Sequence, residues 1–464
     1  MSVQGTIERA SGWLSNSATI KVMSIGILVL VLLIPGAMIK SLIKEREQRR
    51  NGVVHELNGK WGNSQTLSGP FISVPYLVYF QDSEGKEKKT TKLFHILPET
   101  LNISGTITPE KRYRGIYETV LYNAQLQFSG SFVLPPLSDM NIEPGNFLWD
   151  KAFFSVGIAD LRGVRASIVV TFNEQSHACK PGLKSKDLAE TGVGAFTGAI
   201  LADQKNTFSF SLNLNGSEEL NFIPLAESNT VQLASTWPSP GFNGAFLPES
   251  RTVNAKGFTA SWKVLNLNRS YPQMWEGDQY QVQDSAFGLK LIVTADLYQK
   301  TTRVAKYAVM FIVCTFAAFF IAEITSGYRF HVIQYVLIGL AILLFYVLLL
   351  SLSEHFSFNG AYLTAAAAIT LLIALYSKGI LGSRRFAWSI AGILAAMHSF
   401  LFVVLQLEDY ALVLGSGGLL AVLAAIMYIT RNIDWHHLAV EADDEDESLP
   451  SSILQTRRGQ AKLS

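Results

Sequence analysis

Ser353, Glu354 and His355 set a hydroxyl, a carboxylate and an imidazole side by side, the ingredients of nucleophilic hydrolysis. Consecutive residues point in different directions from a helix end, so these three cannot form a triad among themselves. The plainer reading is that Glu354 and His355 are polar side chains at headgroup level, or contacts to a domain above. A second group lies inside long apolar runs: Glu323, Gln334, His398 and Gln406, with Arg303 and Lys306 near the entrance of one run. Ionisable groups in a membrane span are costly and mark either a pathway or a paired contact. Glu323 and Gln334 fall near one end of neighbouring runs, and Lys306 and Glu354 near the other, which allows pairing between helices. His398 alone sits near the middle of its run, and one histidine is a thin proton relay. Pairing is therefore favoured over transport.

Two further stretches carry recognition chemistry. Arg112, Arg114 and Tyr117 in RYRGIYETVLY interleave guanidinium groups with aromatic rings, a pattern that binds anionic sugars by forked hydrogen bonds and stacking. The same alternation is also what a strand with one wet and one buried face shows. The loop from Trp237 to Pro248, WPSPGFNGAFLP, is irregular and presents Trp237, Phe242 and Phe246 either as anchors or as plugs at the end of a β domain. No phosphate-binding loop, HExxH or Cys–His spacing occurs, and His436-His437 beside Trp435 reads as an interfacial feature. No cofactor, metal or catalytic residue is expected.

The elements that hold these residues are set by apolar runs. One run lies near the start; five more crowd the last third, each close to the ~20 residues a helix needs to cross the ~30 Å of hydrocarbon. We read six transmembrane helices at 20–39, 304–324, 332–352, 358–376, 386–407 and 410–429. They are flanked by an N-terminal segment, 1–19, and a tail, 430–464, whose acidic run EADDEDES is expected to be disordered. The first run lacks a cleavage site and reads as an uncleaved anchor. Charges make up only 16% of the chain against 49% hydrophobic residues, and a net charge of +1 argues against a nucleic-acid partner. The two cysteines, Cys179 and Cys314, fall in different regions and offer no disulfide. Arg329, His331, Lys378, Arg384 and Arg385 lie in alternate short loops, which puts those loops and both termini in the cytoplasm. The basic cluster from Lys40 to Arg50 runs against that rule, but long domains translocate largely regardless of charge.

Between the first two spans, 40–303 holds a helical stalk, Lys40 to Leu57, and then a period of two. Strands are expected at Phe71–Phe80, Leu101–Ile107, Val164–Phe172 and Phe287–Tyr298. Asn215-Gly216 reads as a hairpin turn between the run ending at Leu214 and that beginning at Leu220. Ser185 to Leu201 has room for one short helix. LPETLNISG and IPLAESNTVQLAS faintly resemble each other. The fold class is thus an α+β membrane protein, with a large, mainly antiparallel, sandwich-like extracytoplasmic domain inserted between spans one and two.

Three long strings, Arg49–Tyr76, Arg112–Phe132 and Trp237–Trp262, resemble the inner-membrane protein CreD family. The resemblance continues through Lys306–Ile324, Gln334–Tyr362 and TRNIDWHH, Thr430–His437. It implies a Gram-negative inner-membrane protein of cell-envelope integrity and envelope-stress responses, and brings no catalytic residue. The leading expectation is a non-enzymatic protein whose β domain binds an envelope protein, lipid or glycan, anchored in the bilayer by its helices. A transporter of a lipid or small solute is the alternative, and a hydrolase near Ser353 and His355 a weaker one.

Overall fold

The computed structural model describes residues 18–134, 143–198, 200, 204–292, 297–326, 330–381, 384–407 and 410–431. The acidic tail, Trp435, His436-His437 and Arg329 lie outside them. The chain divides into two compact units, Met1–Gln48 with Ala295–Ser464, and Arg49–Thr294.

The first unit is helical. Helix α1, Ala18–Trp61, is 44 residues long and belongs to this unit up to Gln48; the apolar run passes without a break into the charged stretch that follows. Helix α2, Leu297–Lys306, and helix α3, Ala308–Ser326, meet at a bend of 43°. Helices α4, Val332–Ser353, α5, Phe358–Leu381, α6, Arg384–Gln406, and α7, Ala411–Thr430, complete the unit. Among the described residues four helices are long and apolar enough to cross a bilayer, or five when the bent pair counts as one span. The sixth expected span falls on α7, whose apolar core is the shorter stretch Leu412–Ala425. The strand expected to run on to Tyr298 ends at Leu291, and Leu297–Lys306 is helical. Its buried side chains, Tyr298, Thr301, Val304 and Ala305, recur at helical spacing. Gly339 lets two helices close, because a Cβ there would meet the Leu32 side chain at 2.3 Å.

The second unit is a two-sheet β domain. From edge to edge the first sheet runs Pro240–Gly244, Phe287–Leu291, Glu219–Ile223, Gln65–Gln81, Phe153–Ile158, Gly192–Phe196 and Lys180–Pro181. Glu87–Ile96 pairs off Gln65–Gln81 and carries Met274–Glu276. The second sheet runs Ser250–Asn254, Gly257–Leu265, Ser228–Ser235, Thr100–Arg114, Tyr117–Val133, Lys205–Ser217, Val169–Phe172 and Gln175–Ala178. Inward residues of both sheets merge in one core, with Phe128 stacked on Phe210 at 4.5 Å and Trp262 beside Phe287.

Each sheet carries one parallel pairing among antiparallel ones: Gln65–Ser68 with Leu220–Ile223, and Thr100–Ile107 with Ser228–Ser235. The second of these joins the two segments whose sequences faintly resemble each other. Asn215-Gly216 is not a hairpin turn. The strand continues to Ser217, Glu218 takes φ 58°, and the chain crosses to the other sheet. Glycine is required at 216 because a Cβ would lie 2.3 Å from the Tyr122 hydroxyl. The two-residue turn with both φ positive is at Asn173-Glu174, at 47° and 67°. Ser185 to Leu201 holds a strand, Gly192–Phe196, and no helix among its described residues.

Candidate functional site

In the helical unit the polar residues are held by partners. Glu323, buried on α3, is paired with Lys21 of α1 and accepts hydrogen bonds from the Tyr335 hydroxyl at 3.2 Å and the Phe330 amide at 3.1 Å. Glu354 accepts from the Tyr298 hydroxyl at 3.0 Å and lies 3.8 Å from Arg46. The cations that meet these carboxylates therefore come from α1, not from the neighbours that sequence position suggested. Gln334 accepts from the His331 amide at 2.9 Å, and Gln406 donates to Asn359 at 3.1 Å. The Ser353 hydroxyl donates to the Leu350 carbonyl at 2.9 Å while His355 is exposed, so the two are not brought together. His398 is buried, its Nδ1 2.8 Å from the Leu394 carbonyl and its ring edge-on to Phe311 and Phe345.

In the β domain the sequence-derived candidates are packed or paired. Arg114 pairs with Glu56, and Arg112 pairs with Glu110 and lies over Trp61 at 5.6 Å. Tyr117 is half-buried. Trp237 is buried and donates to the Ile292 carbonyl at 3.2 Å. Phe242 packs edge-on against Trp262 and Phe258, and Phe246 against Phe287. These aromatic rings extend the core.

A hydrogen-bonded Ser–His–Asp chain does form, from residues that sequence reasoning did not connect. The Ser73 Oγ lies 3.0 Å from His95 Nδ1, and His95 Nε2 lies 2.7 Å from Asp187 Oδ2. Ser73 and His95 are direct cross-strand partners. The order of burial is the reverse of what a hydrolase needs: Ser73 is 1% and His95 0% exposed, and the Asp187 side chain is 27% exposed. Phe71 and Trp275 close around the imidazole, so no acyl group can reach the hydroxyl. Burial pushes the His95 pKa below its ordinary value, against the opposing effect of the hydrogen bond it donates to Asp187. In the neutral ring, Nε2–H donates to the carboxylate and Nδ1 accepts from Ser73, so both ring nitrogens are satisfied. The chain fastens the segment around Asp187 to the sheet.

The open face of the second sheet carries an array of another kind. Strand registers line up Ser211, Gln127, Ser104, Gln232, Ser261 and Ser250 in one row. The next row is Asn213, Gln125, Thr106, Ala234, Thr259 and Thr252. Six strands at ~4.8 Å make each row about 24 Å long, and the rows lie ~7 Å apart. Neither row contains a charge, although solvated faces ordinarily carry Lys and Glu. Two adjoining shallow hollows of about 480 and 390 Å³ lie along the Thr106, Ala234, Thr252 and Thr259 side of the array. Arg251 and Lys256 stand at the same edge. Alternating Ser, Thr, Asn and Gln were legible in each strand separately; their alignment across the sheet depends on register.

An apolar helical unit and a two-sheet β domain in one chain define an α+β protein with helices long and apolar enough to cross a bilayer. The chain belongs to the CreD family: the family model described as Inner membrane protein CreD matches residues 17–436. It is 32% identical over 418 residues to the Inner membrane protein CreD of Escherichia coli (strain K12), covering 88% of this chain and 91% of that protein. It is accordingly an inner-membrane protein. Two structures of an M1 zinc metallopeptidase from Deinococcus radiodurans match at TM-scores of 0.18 and 0.17, with 10% and 9% identity. Each covers 36% of this chain and 38% of that one; scores so low carry no argument about the fold.

Proposed function

We propose that this is a non-enzymatic, six-span inner-membrane protein whose periplasmic β domain binds or senses an envelope ligand in the service of envelope integrity and stress response. The observation that carries this reading is the uncharged polar array on the second sheet. Each of its hydroxyl and amide groups both donates and accepts, so the array suits a ligand rich in hydroxyls and without charge: a neutral glycan strand. An anionic ligand would find Arg251 and Lys256 only at one edge and no counter-charge along the rows themselves, and a cationic one would find none there. Ser and Thr also lose little rotamer freedom on binding compared with Lys or Glu.

The orientation rests on the positive charges of alternate short loops. Against transport, Glu323 and Glu354 are engaged by Lys21 and by Tyr298 and Arg46, which supports an anchoring role for the helices. Site-specific photo-crosslinking tests the proposal in growing cells, with p-benzoylphenylalanine at Gln125 or Thr106. The expected product is an adduct with a carbohydrate-bearing envelope component that glycosidase treatment trims. Adducts with cytoplasmic proteins alone would overturn both the orientation and the binding role.

A further inference from the structure

Helices α5 and α6 pack against each other and leave an open groove along their seam. Between them lies an open cavity of 760 Å³. Its floor is built from small side chains, Ala367, Thr370 and Ala374 of α5 and Ala387, Ala391 and Ala395 of α6. Small residues let the two helices approach, and along the seam they also leave room for a trough. The rim is apolar and turned outward, with Leu371, Leu375 and the 77% exposed Trp388 standing at its edges. Such a rim opens to hydrocarbon and not to water.

The two ends of the trough differ. At one end Lys378 and Arg384 line it, both exposed, and no ion pair assigned among the described residues engages either of them. Trp388 stands one turn from Arg384, where an amphipathic ring belongs at headgroup level. Toward the other end Tyr362 and His398 line it, the Tyr362 hydroxyl donating to the His398 carbonyl at 2.7 Å, and Phe402 and Val403 continue the lining.

We infer that this trough seats an anionic phospholipid, with one acyl chain along the alanine floor and the phosphate against Lys378 and Arg384. The dimensions fit. One leaflet of hydrocarbon is ~15 Å deep, half the ~30 Å core, which is about ten residues of helix. A chain descending from Lys378 and Arg384 therefore ends level with Ala367 and Ala395, where the floor is still lined with small residues and before the hydrogen-bonded Tyr362 and His398 are reached. Arginine offers a planar fork to phosphate oxygens and lysine a point charge, and together they favour a net negative headgroup over a zwitterionic one. A second copy of this chain fits less well. A two-fold axis along the membrane normal would bring Lys378 and Arg384 of both copies to the same end, like charge against like.

The test is native mass spectrometry of the full-length protein released from detergent after addition of dioleoyl phosphatidylglycerol, phosphatidylethanolamine or phosphatidylcholine. Phosphatidylglycerol adducts are expected to persist at least five-fold better than the other two. In the double variant Lys378→Gln, Arg384→Gln that preference should vanish while the lipid-free melting temperature stays put. In Ala391→Phe, which fills the floor and keeps both cations, adducts of all three lipids should fall. Equal retention of the three lipids by the native protein, or retained preference in the double variant, would overturn the inference. So would a dimer peak in the native protein that Ala391→Phe abolishes, which would make the trough a contact between copies.

Discussion

Replacing His95 with alanine removes a buried hub and tests whether the Ser73–His95–Asp187 chain is a fastener. Two side-chain hydrogen bonds disappear, one neutral, worth about 1 kcal/mol, and one to a carboxylate, worth about 1.5–3 kcal/mol. Ser73, 1% exposed, is left without its partner, and the imidazole's volume between Phe71 and Trp275 is vacated. A loss of about 3–4 kcal/mol follows, concentrated in the layer that covers this side of the first sheet. Its members include Leu188, Tyr271, Trp275 and Val282. The sign of the pH dependence is fixed as well. The folded pKa of His95 lies below its ordinary value near 6.5, so the unfolded state binds more protons in mild acid. The contribution is complete above pH 6.5 and declines below it by at most about 1.4 kcal/mol per pH unit. Hydrogen exchange of peptides covering Leu188 and Tyr271–Val282, in nanodiscs at pH 7.5 and 5.5, reads both effects. The native protein should lose protection between these values, and the His95→Ala protein should start lower and lose less. Unchanged protection at pH 7.5, or an equal acid-induced loss in both proteins, would refute the reasoning.

Three other outcomes follow from the same geometry. Glu323→Gln leaves Lys21 facing a neutral group inside the bundle and should lower the melting temperature in detergent; breaking a buried pair costs about 3–5 kcal/mol. The double variant Lys21→Gln, Glu323→Gln should recover part of that loss, whereas normal melting with a lost ion or solute flux would favour transport. Asp160 is held at about 2 by Arg162, helped by the Asn63 and Arg162 amides, against the usual 3.8. Because solvent screens the exposed Arg162, Asp160 should contribute on the order of 1 kcal/mol that is present above pH 4 and lost as the pH falls toward 2. Comparison of acid unfolding midpoints with Asp160→Asn, which should lack this phase, measures it. Phe128→Ala, which deletes the ring stacked on Phe210, should cost about 3–5 kcal/mol, read from protection of the second sheet's central strands.

The division between what the sequence discloses and what it conceals follows from locality. Apolar runs gave the helices directly, because a bilayer demands length and hydrophobicity in one continuous stretch. Alternation gave Phe71–Phe80 and Leu101–Ile107, both lying inside the longer strands Gln65–Gln81 and Thr100–Arg114. Asn215-Gly216 misled because its local signature fits a turn, while the glycine is dictated by the distant Tyr122 hydroxyl. Leu297–Lys306 misled because the first part of its apolar pattern continues a strand's. Ser73, His95 and Asp187 are far apart in sequence; strand pairing brings Ser73 to His95, and the segment that carries Asp187 folds back onto the ring. The uncharged array is hidden for the same reason: each strand contributes a few hydroxyl or amide groups, and the surface exists only once six strands are in register.

Calorimetric titration of the full-length protein in nanodiscs with uncharged linear oligosaccharides tests the central claim most directly. Native protein is run beside Gln232→Ala and Thr106→Lys. The account predicts saturable binding of at least one uncharged oligosaccharide, weakened ten-fold or more by either substitution, with the melting temperature preserved. Binding that both variants retain, or no heat from any neutral oligosaccharide while an acidic one binds, would contradict it.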